Sequence, residues 1–134
     1  MRKKFCLAGF ILIFIFIETA YSLNIPDDMA VRIIVSEAAN QGLKGMICVG
    51  EVIRRRKSIK GFVGYRSKRV NSQPKAIWRM ARKAWKISAH TNHTNGADHF
   101  ANIRDGNPWW VKHCVKTYQY KDHVFYRVKR QRKN

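Results

Sequence analysis

Apolar side chains recur at the three- and four-residue spacing of an amphipathic helix in three stretches of the chain. The pattern predicts helices over residues 29–40, 43–57 and 73–87. Gln41 and Gly42 are typical of the end of the first helix, because glycine often follows the last helical residue. The third helix has the clearest apolar stripe, which consists of Ile77, Trp78, Ala81, Ala84 and Trp85.

The second half of the chain has shorter patterns. Residues 58–73 are rich in glycine, serine and basic side chains, which predicts a loop with at most one short strand. Residues 99–103 and 123–126 are typical of short strands. Asn107 and Pro108 indicate the start of a fourth, short helix. That predicted helix contains Trp109, Trp110, Val115 and Tyr118. Helices followed by strands predict an α+β fold, a small helix-rich domain with a short antiparallel sheet.

Residues 1–22 have the layout of a secretory signal peptide. Three basic side chains precede an apolar run over residues 5–17, and the small residues Ala20 and Ser22 follow it. The run is shorter than the roughly 20 residues that a transmembrane helix needs, although an uncleaved anchor is the alternative. We therefore expect a single domain over residues 23–134 that is exported to the periplasm, the cell wall or the exterior, without stable membrane insertion after signal removal.

The charge balance predicts a polyanionic partner. The 134 residues include 27 Lys and Arg against 8 Asp and Glu, so the formal charge is +19. Loss of residues 1–22 takes away three basic side chains and one acidic one, which leaves +17. Such a protein is attracted to nucleic acid, to an anionic membrane or to an acidic wall polymer. Export argues against nucleic acid, so we expect a wall polymer and a monomeric protein.

Cysteine and histidine spacing predicts neither a metal site nor a cofactor. Cys48 and Cys114 form an even pair in an oxidising compartment, so either a disulfide or two buried free thiols is consistent with the sequence, with the thiols slightly favoured. His90 and His93 together with Asp98 resemble a metal-ligand set only weakly, because they lie in a polar loop and match no established motif.

Three acidic residues have no obvious local structural role. Glu37 lies among apolar and small residues near the end of the first predicted helix. Desolvation there would raise its pKa, which suits a general acid, whereas the alternative is a surface glutamate on an ordinary helix. Glu51 precedes Arg54 and Arg55 by three and four residues, which favours an ion pair on the helix surface. The third residue, Asp98, can orient the neighbouring histidine or cap a turn.

Three blocks of sequence carry a family resemblance. The first joins IIVSEA at residues 33–38 to a helix over residues 45–56 that ends in arginines. The second is GADHFAN at residues 96–102. The third joins PWW at residues 108–110 to HVFYR at residues 123–127. In this order and spacing, the blocks resemble the cell wall hydrolase family typified by the spore cortex-lytic enzyme SleB.

The resemblance implies an enzyme that cleaves the glycan strands of peptidoglycan. It implies a small α+β fold distantly akin to lysozymes and lytic transglycosylases, with one essential glutamate, which matches Glu37. Our hypothesis is that Glu37 acts as general acid and base, that Asn102 and His123 shape the groove, and that Trp110 and Tyr126 stack on sugar rings. Hydrolysis by water and attack by a muramic hydroxyl are both consistent with a single glutamate.

Two other functions compete with this interpretation. A non-catalytic cationic wall-binding protein has the same charge and the same aromatic residues. A secreted cationic membrane-active protein has the same export signal and an equal affinity for anionic surfaces.

Overall fold

The computed structural model describes residues 25–130, so the predicted signal segment over residues 1–22 lies outside the described residues, as do residues 131–134. The described α-helices are α1 (Asp27–Ala38), α2 (Gly42–Arg56), α3 (Lys68–Asn71) and α4 (Lys75–Ile87). The described strands are β1 (His99–Asn102), β2 (Cys114–Tyr120) and β3 (His123–Val128). Short 3-10 turns occupy Gly64–Arg66, Ile103–Asp105 and Trp109–His113.

The three long helices lie where the apolar periodicity predicts them and pack on one another. Their shared core includes Ile33, Ile34, Met46, Val49, Ile53, Ala81, Ala84 and Trp85. Helix α1 begins at Asp27, where Pro26 precedes the first turn and Asp27 and Asp28 favour a helix N-terminus. The Trp85 indole nitrogen donates to Asp27 Oδ1 over 2.7 Å, which ties α4 to the start of α1.

The three strands form an antiparallel sheet in the order β1-β3-β2. Opposite residues of such a pair share a face, so Phe100 and Phe125 lie on one face and His99 and Tyr126 on the other. Phe125 is fully buried against α2 residues, which fixes the sheet to the helical layer. The α+β prediction with a short antiparallel sheet is confirmed.

The predicted fourth helix is wrong beyond its first turn. Only Trp109–His113 is helical, as a 3-10 turn, whereas Val115 and Tyr118 belong to strand β2. The residues of β2 favour a strand, since β-branched and aromatic side chains recur along it and β3 supplies a pairing partner. Residues 58–73 contain no strand and instead form a 3-10 turn and α3, whose N-cap Ser67 accepts a hydrogen bond from the Arg69 amide.

Both described cysteines are free thiols. Cys48 is fully buried in α2, and burial raises its pKa to about 12. Cys114 begins β2 and is half-buried. In the described part of the chain, no helix is both long and apolar enough to cross a bilayer. Residues 25–130 also hold no cluster of three or more histidine, cysteine or acidic side chains placed to bind a metal ion.

Candidate active site

A cleft with a volume of about 360 Å³ opens between the end of α1, the segment after α2 and strand β1. We name it the Glu37 cleft. It is lined by Glu37, Arg56, Lys60, Gly61, Phe62, His99, Phe100 and Trp110. The lining combines one carboxyl group with two cationic side chains, one imidazole and three larger aromatic rings. This mixture of flat apolar surfaces and few polar groups is typical of a small-molecule or saccharide site.

Packing of α1 fixes the position of Glu37. Ile33, Ile34 and Ala38 of this helix are fully buried, so the helix cannot shift without opening the core. Glu37 is the last residue but one of α1 and its side chain is half-buried in the cleft. The helix therefore presents the carboxyl group from a rigid element, near the helix end where an anion is disfavoured.

The environment of Glu37 stabilises its protonated form. Burial raises the pKa of the carboxyl group, because a charge loses water when it enters the cleft. The Ser36 side chain, whose hydroxyl donates to the Ile33 carbonyl oxygen over 2.8 Å, lowers the pKa, and the negative charge of Asp105 raises it again. The net direction is upward, as the sequence predicts for a general acid.

Arg56 and Lys60 form a cationic rim on the cleft. The Arg56 guanidinium lies 4.7 Å from the centre of the Phe62 ring and donates a hydrogen bond to the Lys60 carbonyl oxygen. The chain turns back at Gly61, whose φ of 90° favours glycine. Burial lowers the pKa of Arg56, but a guanidinium stays protonated at neutral pH. The rim is therefore ordered and positively charged.

Aromatic contacts connect the wall of the cleft to the sheet. The Phe100 ring lies 6.1 Å from Phe62, and the Trp110 ring lies 5.1 Å from His99. His99 Nδ1 contacts Asp98 Oδ1 over 2.8 Å, so Asp98 orients this histidine. The same carboxylate oxygen accepts a hydrogen bond from the Val128 amide, which holds it at the sheet.

The five predicted site residues divide among three places. Glu37 and Trp110 line the Glu37 cleft. Asn102 and Tyr126 line a separate pocket of about 200 Å³, although the Tyr126 ring meets the Trp110 ring edge-on at 5.4 Å. Asn102 Oδ1 also accepts a hydrogen bond from the backbone amide two residues later, which is an ordinary turn cap.

His123 lines neither the cleft nor the pocket. It is only 3% exposed and its ring lies 5.0 Å from that of Phe100. Burial lowers the pKa of His123, so the ring is neutral at pH 7, and its Nδ1 makes no hydrogen bond within the described residues. His123 packs against Phe100, which lines the cleft, and its role in shaping the groove stays a prediction.

Glu51 forms the predicted ion pair with Arg55, but the prediction that it lies on the helix surface is wrong. Glu51 is 1% exposed, and its carboxylate accepts hydrogen bonds from the backbone amide of His93 (2.9 Å) and from the amide (2.9 Å) and hydroxyl (2.8 Å) of Thr94. Burial alone would raise the pKa of Glu51, but these hydrogen bonds outweigh it and lower the pKa. Arg55 lies 3.9 Å away and itself donates to Thr94 Oγ1 and the Ala97 carbonyl.

Sequence reasoning missed most of the cleft lining. Lys60, Gly61 and Phe62 lie in the stretch that is predicted to be a loop, and none of them is among the predicted site residues. Phe62 is 5% exposed whereas the adjacent Val63 is 74% exposed, so the local pattern of this loop does not distinguish the buried residue from the exposed one. Phe100 lies in the GADHFAN block at residues 96–102, but the sequence predicts no role for it.

No protein-family model matches the chain, and no significant match exists among curated proteins or solved structures. The site is therefore interpreted from its own chemistry.

Proposed function

We propose that the protein is an exported enzyme that cleaves the glycan strands of peptidoglycan, with Glu37 as general acid and base. The observation that carries the proposal is the setting of Glu37: a half-buried carboxyl group with a raised pKa, in a cleft lined by aromatic rings and two cationic side chains. The export signal, the family resemblance and the mature charge of +17 support it from the sequence.

Cleavage of a glycosidic bond requires a proton on the leaving oxygen. A carboxyl group whose pKa is raised holds that proton closer to neutral pH, which is the condition for general acid catalysis. After the bond breaks, the Glu37 carboxylate accepts a proton from the incoming nucleophile. Glu37 thus serves both halves of the reaction without a metal ion.

The lining of the cleft bears on the nucleophile. Glycosidases with two carboxylates place them about 5–9.5 Å apart. Of the described residues that line the cleft, only Glu37 carries a carboxyl group. We therefore assign the nucleophile to water or to the C6 hydroxyl of the muramic unit. In the first case the product has a reducing end, and in the second the hydroxyl oxygen bonds to C1 and yields an anhydro ring.

The walls of the cleft fit a saccharide chain. Trp110, Phe62 and Phe100 offer ring faces and edges for the apolar faces of sugar rings. Arg56 and Lys60 offer positive charge to the carboxylates of a wall polymer. The surplus positive charge of the whole molecule adds long-range attraction to that polymer, which salt weakens.

Mass spectrometry of digested peptidoglycan tests the proposal. We expect the wild-type protein to release new glycan ends and Glu37→Gln to release about 10²- to 10⁴-fold fewer, because the amide cannot donate and accept the proton as a carboxyl group does. Asp28→Asn is the matched control, since Asp28 is an exposed acidic residue in the first turn of the same helix.

Four results are distinguishable. Anhydro ends that vanish in Glu37→Gln support a lytic transglycosylase, and reducing ends that vanish likewise support a hydrolase. Wild-type protein that sediments with peptidoglycan and releases no ends would contradict the enzyme and leave a wall-binding protein. Leakage of anionic vesicles without any glycan cleavage would contradict it in favour of a membrane-active protein.

A further inference from the structure

A second cavity adjoins the Glu37 cleft on the far side of the α1 terminus. We name it the Gln73 cavity. Its volume is about 270 Å³. Its lining includes Ser36, Ala39, Gly64, Ser67, Arg69 and Gln73. Val35 and Val70 complete the lining, so the wall combines two valines with small and polar residues, in contrast to the aromatic wall of the Glu37 cleft.

Gly64 is the point where the two spaces meet. A Cβ atom built on Gly64 would lie 3.5 Å from Glu37 Oε1 and 3.5 Å from Ser36 Oγ. A side chain at position 64 would therefore contact both Glu37, which faces the cleft, and Ser36, which lines the cavity. Because Gly64 has no side chain, nothing at this position projects between them.

The backbone at Gly64 does not require a glycine. Four other described glycines adopt a positive φ, but Gly64 is not among them, and it begins a 3-10 turn. A residue with a side chain would adopt this conformation without strain. The absence of a side chain therefore keeps the surface beside Glu37 open rather than relieving the backbone.

The polar groups of the Gln73 cavity suit a hydroxylated and anionic ligand. Ser67 Oγ accepts a hydrogen bond from the Arg69 amide and retains its own proton to donate. The Gln73 amide both donates and accepts, and the exposed Arg69 guanidinium is a preferred partner for a carboxylate. Sugar hydroxyls, acetamido groups and the lactyl carboxylate of muramic units that carry no stem peptide present the complementary atoms.

We propose that the Gln73 cavity binds a carboxylate-bearing saccharide unit of the same glycan strand whose scissile bond lies at Glu37. The strand crosses the open surface at Gly64, with neighbouring units against the aromatic wall of the Glu37 cleft. Arg69 binds the carboxylate, and Gln73 binds the sugar hydroxyl or acetamido groups. This assignment rests on the proposed function and adds to it a binding site on the second side of the bond that is cleaved.

Binding of glycan strands to variants of the Gln73 cavity tests the proposal apart from catalysis. The probe is peptide-free glycan from amidase-treated peptidoglycan. It is titrated into protein that carries Glu37→Gln, so that the glycan is not cleaved during the measurement. Arg69→Ala and Gln73→Ala should each weaken binding about tenfold, the effect of one lost charge-assisted or neutral hydrogen bond in a binding site. Arg79→Ala is the control, since Arg79 is an exposed arginine of α4 that lines neither space.

A second pair of variants tests the passage itself in the active protein. Gly64→Leu should block the strand and reduce cleavage of long glycan at least tenfold, whereas Gly64→Ala should retain most activity because its Cβ meets ordinary contact distances. Thermal unfolding of both variants shows whether they fold as the wild type does.

The outcomes separate this inference from the proposed function. Equal binding by Arg69→Ala, Gln73→Ala and Arg79→Ala, or full cleavage by a folded Gly64→Leu protein, would overturn the second binding site even where Glu37→Gln abolishes cleavage. Cleavage that survives Glu37→Gln would instead overturn the proposed function. Weaker binding by both cavity variants, together with loss of cleavage in Gly64→Leu, supports both.

Discussion

Glu37 and Glu51 are the same residue type on neighbouring helices, and the fold treats them in opposite ways. Glu51 is the more deeply buried of the two, yet its pKa is lowered, because two backbone amides and a hydroxyl donate to its carboxylate. Glu37 is only half-buried, yet its pKa is raised, because burial is opposed by a single serine side chain. Desolvation dominates at Glu37, whereas hydrogen-bond donors outweigh desolvation at Glu51, and this difference decides which carboxyl group keeps its proton.

The comparison separates a structural role from a chemical one. Glu51 joins α2 to the loop that leads into β1, and β1 supplies His99 and Phe100 to the cleft. Its charge is satisfied by the hydrogen bonds from His93 and Thr94. The Glu37 carboxyl group faces the cleft, where it is able to bind and release a proton. Opposite pKa shifts of two carboxyl groups help to distinguish a catalytic acid from a structural residue.

The largest effect we expect is on stability at Glu51. Glu51→Ala leaves two buried amides and the Thr94 hydroxyl without their acceptor, so the free energy of unfolding should fall by about 3 kcal/mol. Denaturant unfolding measures this directly. Asp28→Ala, which removes an exposed acidic residue from a first helical turn, should cost about 0.5 kcal/mol. A loss at Glu51 no greater than that at Asp28 would break the comparison.

The pH dependence of stability should have opposite signs at the two residues. The lowered pKa of Glu51 stabilises the fold above the ordinary glutamate value of about 4.3, and this contribution is lost as the pH falls through its folded-state pKa. The raised pKa of Glu37 acts in reverse: its contribution is present at low pH and is lost as the pH rises through its folded-state value.

Unfolding of Glu37→Gln and Glu51→Gln across a pH series checks these signs. Relative to the wild type, Glu37→Gln should gain stability as the pH rises above about 4.3, which is the ordinary pKa of a glutamate side chain. Glu51→Gln should be less stable than the wild type at neutral pH, and this difference should shrink as the pH falls. Parallel curves for the two variants would show that the carboxyl groups do not differ as described.

The smallest effects concern the neighbours that set the pKa of Glu37. Ser36→Ala removes the polar side chain that lowers the pKa of Glu37 and should raise that pKa further. Asp105→Asn removes a negative charge and should lower it. Carboxyl-selective NMR titration of Glu37 resolves both changes. Shifts of the same sign in the two variants would mean that burial alone governs this carboxyl group.

Local patterns predicted the helical half of the fold better than the rest. The apolar stripe of α4 and the glycine after α1 are encoded within a few neighbouring residues, so the helices were predicted to within a few residues. Strand β2 was not predicted, because its pairing partner β3 decides its conformation and a tryptophan pair with helix-compatible spacing precedes it. Long-range pairing is not visible in a local window.

The same difference between local and long-range information applies to the candidate site. Glu37 and Trp110 were predicted from sequence and share the cleft, although their roles there stay predictions. The role of Glu51 depends on residues about forty positions away, which no helix-surface argument could supply. One local signal was available, since Glu51 is the single charged residue within the continuously buried stretch 45–53 of α2.

The pH dependence of glycan cleavage, beside an NMR titration of Glu37, tests the central claim most directly. The account predicts that the rate of cleavage falls at high pH with the same midpoint at which the Glu37 carboxyl group loses its proton, and that the midpoint moves up in Ser36→Ala and down in Asp105→Asn. A cleavage rate that stays constant while Glu37 titrates would show that this residue is not the acid.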